Sequence, residues 1–159
     1  MRKLDTRDWE PRRNIKEHDL LLCKYCQKHG GTTFTNVKLP DDPYPNPREI
    51  DGIRFPSHPR RLISWSRHRE HRRQFEELLS HAQRGRLPVE IIEVTTGEMD
   101  RGTVGQVIVG GWLLKQRKVK VTKVLVCDSA STQLREFFKQ HHIVLWSPEK
   151  TDQCPKDAS

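Results

Sequence analysis

The feature that most constrains the fold of this chain is an alternation of strand-like and helix-like segments through its second half. Residues 89–95 read Val-Glu-Ile-Ile-Glu-Val-Thr, and residues 119–127 form a second run rich in β-branched residues. Between them, residues 103–116 predict an apolar helix that contains glycines. A strand, a helix and another strand in this order favour a parallel crossover within one sheet.

The remaining segments predict more helices and strands around this unit. Apolar residues recur at helical spacing over residues 15–29, 67–83 and 131–141. Short runs with strand character cover residues 32–39, 50–55 and 143–146. Residues 61–65 either extend one of these strands or pair again elsewhere. The expected fold class is therefore α/β, a mixed β-sheet flanked by helices, with an early meander and later parallel crossovers.

The 159 residues suffice for one ordinary hydrophobic core, which we assign to a domain over residues 15–146. Residues 1–14 predict a flexible basic arm, and residues 147–159 a polar tail. No apolar run approaches the roughly 18 residues that span a bilayer, and no apolar signal segment follows the charged N-terminus. Four cysteines are too few for a disulfide framework in a chain of this length. We therefore expect an intracellular, cytoplasmic protein with no membrane partner.

Positive charge dominates the composition, with 29 Lys and Arg against 21 Asp and Glu and a formal net charge of +8. Such an excess favours polyanionic partners through counterion release and electrostatic steering. One segment concentrates basic residues around an aromatic side chain and predicts contacts with a nucleic-acid backbone: Arg60, Arg61, Trp65, Arg67, Arg69, Arg72 and Arg73. The alternative is a solvated helix face that neighbouring glutamates partly neutralise.

Two carboxylates stand out because they lie in otherwise apolar strands. Asp51 follows Ile50 early in the second predicted strand, and Glu93 lies between Ile92 and Val94 in the third. A buried charge needs a partner, a metal ion or a position at a solvated sheet end. If the two strands are antiparallel neighbours, both carboxylates can meet and bind Mg²⁺ or Mn²⁺ together with the Val94 carbonyl. The alternative is that Asp51 caps a turn and Glu93 pairs with an arginine.

Short motifs in this order resemble the PD-(D/E)xK nuclease superfamily, which has the restriction-endonuclease-like fold. They are Ile50-Asp51-Gly52-Ile53, Ile91-Ile92-Glu93-Val94-Thr95 and Gly105-Gln106-Val107 at the start of an apolar helix. The later strand, amphipathic helix and final strand also fit the way in which many members end. The resemblance covers roughly residues 15–146, through the order of the elements more than through identity.

The resemblance implies a role for each matching position. Asp51 would be the motif aspartate and Glu93 the motif acid, and they would bind Mg²⁺ or Mn²⁺. Glu17, on the first helix, falls where some members place an additional acid. Gln106 would be the helix glutamine that some members place near the site. Glu90 lies three residues from Glu93 and therefore faces the opposite side of its strand, which excludes it from the same site.

Thr95 departs from the family pattern. The family has a lysine two residues after the motif acid, where its charge orients the attacking water and stabilises developing negative charge. Threonine forms hydrogen bonds but carries no charge. Either another cation has moved into the site, for which Lys38 on the neighbouring strand is the candidate, or catalysis is weak or absent.

The segment from Cys23 to His29 also invites a zinc interpretation, because Cys23, Cys26 and His29 are closely spaced. A structural zinc site needs four ligands, usually two spaced pairs. The other two cysteines, Cys127 and Cys154, are distant in sequence and do not form a second pair. On a helix Cys23 and Cys26 share a face as small apolar residues, and we favour this interpretation.

Three functions are consistent with these observations. The first is a metal-dependent DNA endonuclease or nuclease-like protein that hydrolyses phosphodiester bonds. The second is a catalytically inactive nucleic-acid-binding module on the same fold. The third is a protein-interaction adaptor whose basic face binds an acidic partner. A homodimer is a further assembly that the sequence leaves open.

Overall fold

The computed structural model describes residues 3–10, 16–40, 42–43, 45, 48–66 and 68–148. In this part of the chain seven strands and four helices follow one another. They are β1 (Asp5–Asp8), α1 (Lys16–His29), β2 (Thr32–Val37), β3 (Ile50–Phe55), β4 (Arg61–Ser64), α2 (Arg69–Gly85), β5 (Pro88–Thr95), α3 (Arg101–Gln116), β6 (Lys120–Cys127), α4 (Thr132–Gln140) and β7 (Ile143–Trp146).

The seven strands form one mixed sheet in the order β1-β4-β2-β3-β5-β6-β7. The pairs β2–β3 and β3–β5 are antiparallel, and the pairs β5–β6, β6–β7, β2–β4 and β1–β4 are parallel. The α/β class with a mixed, helix-flanked sheet is therefore confirmed. The parallel crossover of β5, α3 and β6 and the antiparallel pairing of β3 with β5 are also as predicted.

Two hydrophobic clusters pack on opposite faces of this sheet. Alternation along β5 divides its side chains: Val89 and Ile91 face one cluster, and Ile92 and Val94 face the other. Helices α2, α3 and α4 cover the first face, and α1 covers the second. Because β5 has helices on both faces, it reads as the near-continuous apolar run seen in the sequence.

Two sequence-based expectations differ from the structure. The predicted arm over residues 1–14 contains strand β1, which pairs with β4 at the edge of the sheet. The side chains of β1 are exposed or half-buried, so polar residues are tolerated there. The sequence therefore shows no apolar alternation over this strand. The amphipathic pattern of α4 predicts that Phe137 points inward, but it is 44% exposed, whereas Phe138 is fully buried.

Among the described residues, no helix has both the length and the apolar character required to cross a membrane.

Helix α3 approaches the sheet closely through Gly110, and replacing this glycine with alanine is expected to lower the free energy of unfolding by about 1–3 kcal/mol. The added Cβ would overlap Cδ1 of Ile91, which is fully buried. Gly105→Ala, in the same helix, is the matched control. A Cβ at Gly105 meets no atom within 4 Å, and alanine is the better helix former by about 1 kcal/mol.

Urea unfolding followed by circular dichroism measures the stability of both variants. A Gly110→Ala variant as stable as Gly105→Ala would contradict the close packing of α3 on β5.

Candidate active site at one end of the sheet

The elements that carry the candidate site residues converge at one end of the sheet. This end holds the start of β3, the end of β5 and, through the parallel pairing of β4 with β2, the end of β4. Helix α3 begins directly after β5, and α2 directly after β4. Helix α1 ends just before β2 starts, so its first turn also lies here. Carboxyl ends of parallel strands and the following helix starts are common positions for binding sites in α/β folds.

Asp51 and Glu93 lie on neighbouring strands at this end. The antiparallel register pairs Gly52 with Ile92, so Asp51 and Glu93 are the next opposed residues. Both are buried, with 8% and 2% of their surface exposed. The Oδ2 atom of Asp51 accepts a hydrogen bond from the Val94 amide at 2.8 Å. The structure therefore brings the two predicted carboxylates and the Val94 backbone together.

His18, on the first turns of α1, reaches the same atoms. Its Nε2 lies 2.6 Å from the Val94 carbonyl oxygen and 3.2 Å from Asp51 Oδ2. With the proton on Nε2, the imidazole donates to the Val94 carbonyl and faces the carboxylate. This contact connects α1 to the ends of β3 and β5 and fixes the position of Asp51.

The electrostatics of the carboxyl pair follow from these contacts. Burial raises the pKa of Asp51. This effect is outweighed by contacts that stabilise the carboxylate: the hydrogen bond and charge of His18, the Val94 amide and a hydrogen bond from Glu93. The pKa of Asp51 therefore lies below its ordinary value. Two adjacent buried carboxyl groups are stabilised by a shared proton or by a cation between them.

A cleft of about 290 Å³ opens beside Glu93, between α3 and the segment that leads into β3. Gln106 lines it together with Glu93. Arg48 and Glu49 stand at its β3 side. Of the described residues that line this cleft, Arg48 is the only Lys or Arg.

The other predicted site residues occupy different positions. Lys38 is exposed and forms an ion pair with Glu49, with 3.6 Å between Nζ and Oε1; it does not line the cleft. Glu17 is exposed on α1, next to His18. Thr95 is buried at the end of β5, on the same side of the strand as Glu93.

Glu90 lies outside the site, as predicted from its position three residues before Glu93, which places it on the opposite face of β5. Its carboxylate binds Arg54 and the Tyr25 hydroxyl on the face that α1 covers.

The basic segment divides into two parts. Arg60 donates to the Gln27 carbonyl at 2.5 Å, and Arg61 binds Asp8 at 2.5 Å, so both are held by neighbouring acceptors. The others lie on α2 or just before it. Arg69, Arg72 and Arg73 are exposed. Arg73 forms an ion pair with Glu70. The Arg72 guanidinium lies 5.5 Å from the ring centre of Trp65. Arg67 falls outside the described residues.

The donor atoms at the site fit a hard divalent cation in part. Asp51 and Glu93 supply carboxylate oxygens, the ligand type that Mg²⁺ and Mn²⁺ prefer. The Val94 carbonyl accepts from His18 Nε2 at 2.6 Å and has a second lone pair for a cation.

Asn36 lies between Thr35 and Val37, which pair with Gly52 and Ile50 in the β2–β3 ladder, and among described atoms its buried Oδ1 has no hydrogen-bond partner. A buried acceptor of this kind calls for a water or a cation. No group of three or more His, Cys, Asp or Glu side chains in the described ranges has the arrangement of a metal site, so water or substrate oxygens would complete the shell.

The cysteine segment of α1 shows no sign of a zinc site in the described residues. Cys26 is buried and donates to the Thr33 hydroxyl at 3.3 Å. His29 stacks on Tyr25, with 4.2 Å between the ring centres. The side chains of Cys26 and His29 are therefore both engaged in contacts with neighbouring residues.

Comparison of this chain with protein-family models, with curated proteins and with solved structures finds no match. The site must therefore be interpreted from its own geometry.

Sequence reasoning missed three residues at this site: His18, Asn36 and Arg48. The helical spacing of α1 offered a signal for the first, because His18 shares a face with the buried residues Leu22 and Tyr25, whereas Glu17 does not. Asn36 has a left-handed backbone, with φ of 56°, which asparagine tolerates well. The sequence carries no comparable signal for Arg48, because its position depends on the path of the chain into β3.

Proposed function

We propose that this chain is a metal-dependent nuclease of the PD-(D/E)xK type that hydrolyses phosphodiester bonds in nucleic acid, with DNA as the expected substrate. The observation that carries the proposal is the meeting of Asp51 and Glu93 with the Val94 backbone at the end of two antiparallel strands. The net charge of +8 supports a polyanionic substrate.

The proposed chemistry assigns a task to each group. Asp51, Glu93 and the Val94 carbonyl would hold Mg²⁺ or Mn²⁺, which activates water and offsets charge on the phosphodiester. His18 acts as a positioning residue, because its Nε2 contacts both Asp51 and the Val94 carbonyl. Gln106 lies in the same cleft as Glu93 and can orient a water or a substrate oxygen through its amide.

Helix α2 supplies the proposed contact with the nucleic-acid backbone. Its first turns lie at the same end of the sheet as the carboxylates, and Arg69 and Arg72 are exposed there. Arg84 and Arg86 lie at the opposite end of the same helix and are also exposed. Phosphate contacts are therefore expected from the first pair and not from the second.

The double variant Arg69→Gln/Arg72→Gln is expected to weaken duplex DNA binding and to reduce the slope of log K against log salt by about two, since each phosphate contact contributes roughly 0.9. Arg84→Gln/Arg86→Gln removes the same charge and is the matched control, with little expected change in the slope. Fluorescence anisotropy across a salt series measures both. Equal slopes for the two double variants would contradict a contact at the start of α2.

The nuclease activity itself is tested by incubating the protein with plasmid, single-stranded DNA and RNA in Mg²⁺, in Mn²⁺ and in excess EDTA. The proposal expects cleavage with at least one of the two metals and none in EDTA. Absence of cleavage under all metal conditions would contradict it.

The buried Thr95 favours a second candidate function, a nucleic-acid-binding module without catalysis. Its side chain stands where the family lysine is expected and brings no positive charge. Lys38 could replace that charge only by leaving its ion pair with Glu49. DNA binding that falls steeply with salt, without cleavage in any metal, would favour this second function over the first.

A further inference from the structure

The cleft beside Glu93 has the size and lining of a small-ligand pocket. Its volume of about 290 Å³ is near the lower end of the range for ligand sites, roughly 300–1,000 Å³. Its apolar walls come from Ile50, Val109 and Leu113. Such a mixture of apolar walls and a few polar groups suits a small ligand with an apolar body and a polar edge.

The lining charges argue against a phosphate inside this cleft. Of the described residues that line it, three are acids, Asp42, Glu49 and Glu93, and one is an arginine, Arg48. Glu49 also forms an ion pair with the exposed Lys38, which does not line the cleft. An anion would be repelled by the acids, whereas a neutral ring bearing amino groups can donate hydrogen bonds to Asp42 or Glu49, which are not assigned to the metal ion. The Gln106 amide adds both a donor and an acceptor.

Glycine keeps the cleft open on the side of α3. Gly105 lines it, and a Cβ at this position would meet no atom within 4 Å. A larger side chain here would therefore project into open space without displacing the core. This makes Gly105 the position from which the cleft can be filled with the least change to the fold.

We propose that this cleft receives one unstacked nucleobase of the substrate, so that the protein acts on single-stranded or locally opened nucleic acid. The inference rests on the proposed function, because it places the phosphodiester near Asp51 and Glu93. A base inside a duplex is not available to such a pocket, since stacking and pairing hold it in the helix. Apolar contact with the ring and hydrogen bonds to its polar edge are the usual means by which a protein binds an extruded base.

The test compares two single strands that carry the same phosphates. One is an oligodeoxycytidine, and the other is an abasic strand of equal length. Binding is measured by anisotropy in EDTA, and cleavage in Mg²⁺ and Mn²⁺. For the wild-type protein the expected preference for the base-bearing strand is roughly tenfold, the scale of a single base contact.

Gly105→Leu fills the cleft and is expected to bring the preference close to one. Gln116→Leu, exposed near the end of the same helix and away from the cleft lining, is the control that keeps the wild-type preference. Thermal unfolding checks that the filled variant is folded. Val109→Phe is a second filling variant, and the wild-type comparison of the two strands needs no variant.

The outcomes separate this inference from the proposed function. Cleavage without a base preference, or a preference that survives both Gly105→Leu and Val109→Phe, would overturn the base pocket and leave the nuclease proposal standing. A base preference in binding that the filling variants remove, without cleavage in any metal, would support the pocket and overturn the nuclease proposal. Equal binding of both strands by the wild-type protein would overturn the pocket directly.

Discussion

Replacing Asp51 with asparagine or Glu93 with glutamine is expected to reduce metal-dependent cleavage by about 100-fold or more, because each change removes an anionic metal ligand. Both substitutions keep the size of the side chain. The amide oxygen in the Asp51→Asn variant can still accept the hydrogen bond from the Val94 amide that Asp51 accepts at 2.8 Å. The loss should therefore concern chemistry and not the fold, which circular dichroism can check.

The matched control for these two variants is Glu136→Gln. It removes one carboxylate from an exposed position on α4 and should leave the cleavage rate unchanged. Single-turnover rates on the best substrate provide the comparison. If Asp51→Asn and Glu93→Gln cleave at the rate of Glu136→Gln, these carboxylates do not hold the reactive metal.

Replacing Arg54 with methionine is expected to lower the free energy of unfolding by about 3–5 kcal/mol, the usual result of breaking a buried ion pair. Arg54 is 5% exposed, and its Nε and Nη2 donate to the two Glu90 oxygens at 2.6 Å each. Its Nη1 donates to the carbonyls of Gly30 at 2.8 Å and His29 at 3.0 Å. One guanidinium thus joins β3 to β5 and to the end of α1.

The stability loss is expected to be large because the substitution leaves the Glu90 carboxylate buried without its ion-pair partner. Without Arg54, the one partner that the Glu90 carboxylate keeps among the described residues is the Tyr25 hydroxyl, at 2.9 Å. The carboxylate itself remains largely buried. The double variant Arg54→Met/Glu90→Leu removes both charges and should recover part of the loss. Urea unfolding measures all variants. A loss below about 1 kcal/mol for Arg54→Met would match an exposed ion pair and contradict this account.

Much of the site could be predicted from two regular features of β-sheets. Side chains alternate between the two faces of a strand, and strands that are close in sequence often pair. Glu93 and Glu90 differ by three positions on β5, so one joins the carboxyl site and the other binds Arg54 on the opposite face. The proximity of Asp51 followed from antiparallel neighbours, which a short β-meander favours. Gln106 came only from the resemblance to the nuclease superfamily, because neither strand parity nor strand pairing singles it out.

The remaining parts depended on information that local patterns do not contain. Lys38 looked well placed from the neighbouring strand, but its side chain is exposed and pairs with Glu49. Glu17 matched a family position, whereas the phase of α1 turns His18 toward the site. Strand β1 was missed because an exposed edge strand has little apolar alternation to reveal it.

The measurement that tests the central claim most directly is Mn²⁺ binding by isothermal titration calorimetry. It compares the wild-type protein with Asp51→Asn, Glu93→Gln and Glu136→Gln. Our account predicts one Mn²⁺ site in the wild type and in Glu136→Gln, with affinity at least ~10-fold weaker in the other two variants, because each loses an anionic ligand. Equal Mn²⁺ binding by all four proteins, or no binding by the wild type, would contradict the assignment of Asp51 and Glu93 as a metal site.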